Sequence, residues 1–269
     1  MPILVVDHLK KEKNKIMGLG KYIIREVKPT IAANLAHADA ALTANDVVFD
    51  WTAFTLPNGV NRLVGVTVIA PPTNAGVSQD FPLDLLFATK TRGNGGIAAG
   101  AAPQSIGTIS SAATPTASPY YNDLVGAVKI DASDFTDTEP RSIGVTGVAQ
   151  GGMNPVVFES YGTTPDDGLY TFYVAATTPG TPSLQSGIDI NEANAGAGTQ
   201  TSITVDGATA LTLAPGDVIH AQDNAVLGTV KEIINLNTIA LTAANTAAFQ
   251  EDDIIYNINP IKLILTFER

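Results

Sequence analysis

Large apolar side chains recur at every second position along most of this chain, the period of a strand with one buried face. At the end, Ile261, Leu263, Leu265 and Phe267 alternate with Lys262, Ile264 and Thr266. Earlier, Val47, Phe49, Trp51 and Ala53 alternate with Val48, Asp50, Thr52 and Phe54, and Trp51 reads as core. Phe81, Leu83, Leu85 and Phe87 share a face opposite Pro82, Asp84, Leu86 and Ala88. Residues 63–69 are instead β-branched and free of charge, as expected of a central strand covered on both faces. Further strands are predicted at 124–130, 143–148, 156–160 and 169–175. Leu56-Pro57-Asn58-Gly59 supplies turn chemistry, and the short connections between 47 and 88 predict antiparallel pairing of the three strands there. With the closing strand, about eight strands at regular spacing predict a β-sandwich or jelly roll.

A second texture begins near residue 183. Pro179-Gly180-Thr181-Pro182 forms an apparent hinge, and short strands follow at 201–205, 218–219, 226–230, 238–242 and 254–256. Pro215-Gly216 sets a tight turn, because Pro fixes φ and Gly accepts a positive value. This spacing predicts a small β-barrel-like domain at 183–259, inserted into a sandwich domain made of 31–182 and 260–269. Residues 1–30 read as an extended N-terminal arm. Within them, 21–27 fits a strand or a short helical turn; residues 31–43, rich in Ala and Leu, fit one helix or a loop ending in a strand. The expected fold is therefore all-β, with an inserted domain and an arm.

Composition sharpens this picture. Apolar residues are 45% of the 269, enough for a core, while charged residues are only 15% and cysteine is absent, so disulfides and thiolate metal sites are excluded. Residues 1–30 hold seven basic side chains (Lys10, Lys11, Lys13, Lys15, Lys21, Arg25, Lys28) against three acids. The whole chain is −11, so an arm of +4 precedes a body of −15. Such an arm is expected to reach an acidic neighbouring surface, with Ile3, Leu4, Val5, Tyr22, Ile23 and Ile24 as apolar anchors and Lys10, Lys11, Lys13 and Lys15 as its charges. Nucleic acid is the less favoured partner. No apolar run approaches the roughly 18 residues of a membrane helix, and Met1 to Val6 is too short for a signal-peptide core; neither a membrane span nor export is expected.

Chemistry is hard to find. His8, His37 and His220 are too scattered for a local metal pair. Asp131, Asp134, Asp137 and Glu139, and separately Asp189, Asn191, Glu192 and Asn194, could offer oxygen ligands to Ca²⁺, but the EF-hand spacing and its glycine are missing, which favours solvated loops. Gly18-Leu19-Gly20-Lys21 lacks the spacing and the Ser/Thr of a phosphate loop. Arg92-Gly93-Asn94-Gly95-Gly96 reads as a hairpin tip within the loose stretch 91–119, whose one short strand is expected at 106–109. There is no Gly-x-Ser-x-Gly elbow. The expectation is a non-enzyme with no catalytic, cofactor or metal residues.

The succession Pro215-Gly216-Asp217-Val218-Ile219, Val226-Leu227-Gly228-Thr229-Val230, Thr238-Ile239-Ala240-Leu241-Thr242 and Asp252-Asp253-Ile254-Ile255-Tyr256 resembles small β modules embedded in tailed-phage virion proteins. The resemblance covers residues 201–258. Residues 1–180 are similar to phage head and decoration proteins only in being Ala/Thr/Gly-rich, weakly charged and free of cysteine. It implies a virion structural protein, a capsid decoration or auxiliary head protein that forms homo-oligomers and contacts a major capsid protein. The long spine helix of major capsid proteins has no counterpart here. The alternative reading is a β-sandwich adhesin or carbohydrate-binding module, including a tail or fibre component, with 91–119 as its binding loop.

Overall fold

A computed structural model describes residues 22–31, 42–73, 77–89, 124–139, 141–147, 156–160, 169–184, 187–193, 195–206, 213–221 and 225–269. The strands are β1 (Tyr22–Val27), β2 (Val47–Pro57), β3 (Gly59–Ala70), β4 (Leu83–Ala88), β5 (Leu124–Ile130) and β6 (Phe135–Asp137). Then come β7 (Ser142–Gly147), β8 (Val157–Ser160), β9 (Leu169–Thr177), β10 (Ile188–Asp189) and β11 (Ser202–Thr204). Last are β12 (Val218–His220), β13 (Val226–Asn235), β14 (Thr238–Leu241), β15 (Ile254–Asn257) and β16 (Lys262–Glu268). One 3-10 turn, Ala132–Asp134, is the helical element among the described residues. The fold is all-β, and every strand pair is antiparallel.

Two sheets make the sandwich. The first runs β1-β16-β3-β7-β6, with β8 also on β3, and the second runs β2-β9-β4-β5. Between them lies a core in which Phe54, Phe87, Phe158, Phe172 and Phe267, from five strands, contact one another with ring centroids 5.1–6.3 Å apart. The alternation of the last strand is realised in full: Leu263, Leu265 and Phe267 are wholly buried, and β16 sits between β1 and β3. Phe81, Leu83, Leu85 and Phe87 likewise all face the core.

The antiparallel pairing expected among the strands at 47–88 is not what forms. β2 pairs with β9, β3 with β16, β7 and β8, and β4 with β5 and β9. The Asn58-Gly59 turn is a corner between sheets, not a hairpin, with Gly59 at φ +112°. Asn61 Nδ2 braces it by donating to the Pro57 carbonyl at 2.9 Å. Irregular register between Val47 and Thr52 breaks the alternation of β2, so Val47, Val48 and Phe49 are all buried. Trp51 accordingly packs with Val47 and Ala175 in a small separate cluster and not in the main core. β3 is central, but its outward residues Val64, Thr67 and Ile69 are only half-buried, so one of its faces lacks the full cover expected.

The strands β10 to β15 form a sheet of their own, in the order β10-β15-β12-β13-β14-β11. It has its own core, built on Ile203, Val205, Ile219, Leu227, Ile239, Phe249 and Ile255 among others. At Ala214-Pro215-Gly216-Asp217 the expected turn is present: Asp217 N–H donates to the Ala214 carbonyl at 3.0 Å and Gly216 has φ +90°. Asn245 is buried without loss of hydrogen bonds. Its Oδ1 accepts from Thr199 and Gln200 N–H, and its Nδ2 donates to the Gly196 and Ala247 carbonyls. The chain leaves and re-enters the sandwich through neighbouring strands, because β10 pairs with β15 and Ile188 lies opposite Ile255.

The region read as one arm divides. Residues 22–27 form β1, the edge strand on β16, and Ile23 packs against the main core, so this part belongs to its own sheet. The physical reason is the alternation of Ile23, Arg25 and Val27 towards the core; the Arg25 Nε donates to the Thr55 carbonyl of the opposite sheet at 2.6 Å. The helix-or-loop segment at 31–43 lies mainly outside the described residues, with Ile31 and Leu42 at its margins both buried.

Candidate interaction surface

The outward face of the first sheet is a candidate surface. Directly opposed residues share a face, and the register assembles three cross-strand rows. Ile24, Thr266, Gly65 and Gly147 make one, and Glu26, Ile264, Thr67 and Val145 the next. Lys262, Ile69, Ile143 and Thr136 make the third. Tyr22, Ile24 and Val145 are 59%, 64% and 56% exposed, too open to be core. Apolar and threonine side chains therefore dominate a sheet face that the second sheet does not cover.

The third row ends in a cleft beneath the small sheet. A cavity of about 230 Å³ is lined by Lys28, Ile69, Arg141, Ala214, Pro215, Asp217, Asn259, Pro260 and Lys262. Arg141, in the turn leading into β7, reaches Asp217 with Nη2 to Oδ2 at 3.1 Å, and both side chains are largely buried. Asp217 Oδ2 also accepts the Ala214 N–H at 2.8 Å. Burial pushes the Asp217 carboxyl above its ordinary range, against the pull of the Arg141 guanidinium. At the mouth, Lys262 Nζ approaches one Glu26 oxygen at 2.6 Å and Lys28 Nζ the other at 3.7 Å. The hydrogen bond from Lys262 leads in holding Glu26 below the usual carboxylate range. Asn259 Nδ2 donates to the Pro29 carbonyl and to Thr30 Oγ1, each at 3.1 Å.

Of the contact residues expected from the sequence, Tyr22 and Ile24 are on the outward face and Ile23 points inward, since neighbours along a strand face opposite ways. Ile3, Leu4, Val5, Lys10, Lys11, Lys13 and Lys15 lie outside the described residues, as do His8, His37, the 18–21 and 92–96 glycine motifs and the 91–119 loop. The acidic clusters have backbone partners. Asp134 Oδ2 accepts the Asp131 N–H, and Glu192 Oε2 accepts the Thr204 N–H. Among the described residues no group of three or more His, Asp or Glu side chains is placed to hold a metal. His220 is buried beside Tyr256, with ring centroids 5.8 Å apart. Sequence reasoning missed the cleft, because Lys28, Arg141, Asp217 and Lys262 share no local motif. Its one local signal was the Pro-Gly-Asp turn. No protein-family model and no curated protein matches the chain.

Proposed function

We propose that this protein is a non-enzymatic structural component of a tailed-phage virion, a capsid decoration or auxiliary head protein. It would act through contacts with its own copies and with a major capsid protein. The observation that carries this reading is the 215–256 strand-and-turn succession, which resembles phage virion modules and is borne on a sandwich with an open apolar sheet face. Apolar faces of this kind support protein contacts better than they support chemistry.

Mass spectrometry of purified particles, paired with a glycan array probed with the isolated protein, tests the reading. The protein should be found in particles and should not bind glycans. Glycan binding with no particle association would overturn the virion reading in favour of an adhesin or carbohydrate-binding module.

A further inference from the structure

The cleft beneath the small sheet concentrates positive charge on an acidic protein. Three of the eight lysines and arginines among the described residues, Lys28, Arg141 and Lys262, line one cavity. They come from three separate parts of the chain, so the fold, not a basic segment, brings them together. The same cavity is lined by the apolar side chains of Ile69, Ala214, Pro215 and Pro260. We propose that this cavity binds a carboxylate carried on a short apolar stem.

Charge decides between anions. Among the described residues, three cations meet two carboxylates, Asp217 in the cavity and Glu26 between the two lysines, an excess of one positive charge. A monoanion matches that balance, whereas a phosphate dianion would overshoot it beside two existing carboxylates. Glu26 already shows the recognition in miniature, since its carboxylate is held between the two lysine ammonium groups. The Gly216 turn, held at φ +90°, lies beside Lys28, whose Nζ would be 3.7 Å from a Cβ built there, an ordinary contact distance. A volume of about 230 Å³ is several times the roughly 30 Å³ that one water occupies in the liquid, so the apolar stem has room. The carboxylate could belong to a free acid or to the end of a peptide chain. This inference stands apart from the virion reading and fails or holds without it.

Sodium butyrate titrated into the full-length protein near neutral pH, followed by the amide shifts of Gly216 and Asn259, tests it. Butanamide, which has the same shape without the charge, and inorganic phosphate are run alongside. Saturable shifts are expected with butyrate, with butanamide and phosphate each weaker by about tenfold or more, as charge-assisted hydrogen bonds require. Lys28→Met and Lys262→Met should each weaken butyrate by a similar factor. Both side chains are partly exposed, so the fold should survive, which amide signals far from the cleft would verify. A short peptide with a free C-terminus, compared with its amidated form, separates the sources. Tighter binding than butyrate points to a protein chain end, and equal binding to a free acid. The proposal is overturned if butyrate gives no saturable shift, if butanamide or phosphate binds as well, or if neither lysine variant weakens binding.

Discussion

Asp217 shows how one side chain serves two elements. It closes the Pro-Gly turn through the Ala214 N–H and joins the small sheet to the sandwich through Arg141. Because burial raises its pKa in the folded state, the folded protein takes up the Asp217 proton more readily than the unfolded chain does. The contribution of this group to stability therefore grows as pH falls through the raised value. Glu26 has the opposite sign: its lowered pKa gives stability above the unfolded value, lost as pH falls through the folded one. Comparing the native protein with Asp217→Asn cancels Glu26, which both retain. The melting temperature of the native protein should rise relative to the variant from neutral to mildly acid pH. A change of about 1 kcal/mol would appear as roughly 2–4 °C. A difference that stays flat across that range would refute the assignment.

At the scale of elements, β16 is the strand on which the sandwich depends. Leu263, Leu265 and Phe267 are each wholly buried, and full burial of such a side chain is worth about 1.5–3 kcal/mol, so together they rival the roughly 5–15 kcal/mol net stability of a domain. Ending the chain before Lys262 should leave no cooperative unfolding transition. Removing residues 188–255 should be far milder, because Ile188 and Ile255 are directly opposed and a short Gly/Ser turn can join their neighbours. That excision keeps Leu184 and Tyr256, both members of the sandwich core. Calorimetry on the two shortened chains is the check. Equal melting behaviour would show that the small sheet is not an independent insertion.

For the molecule as a whole, the remaining question is what meets the outward face of the first sheet. If the N-terminal residues contact a neighbouring subunit, a chain beginning at Tyr22 should fail to assemble in light scattering while keeping β1 and its fold. Changing Lys10, Lys11, Lys13 and Lys15 to Ser should weaken assembly only modestly, since exposed ion pairs contribute about 0–1 kcal/mol each and are screened by salt. Undiminished assembly of the shortened chain would remove the arm from the argument. Tyr22 and Ile24, which that chain retains, would then be the contact candidates that remain on this face.

How much was legible in advance depends on the range of the interaction. The alternation in 261–267 specified which side chains are buried, because the two-residue period follows from strand geometry alone. In 81–87 it picked out Phe81, Leu83, Leu85 and Phe87 but not Leu86, which is buried on the other face. The Pro215-Gly216 turn was equally local. Tertiary structure decided which strands are neighbours: β2, β3 and β4 follow one another closely, yet each pairs with a strand distant in sequence. It also decided that Ile23 serves its own core while Tyr22 and Ile24 stay open. The cleft is the extreme case, with Lys28, Arg141, Asp217 and Lys262 spread over most of the chain. A strand's pattern names the face it buries but carries no record of its hydrogen-bonding partners. Charges are gathered only when those partners are chosen, so of that site only the Pro215-Gly216-Asp217 turn was legible in the sequence.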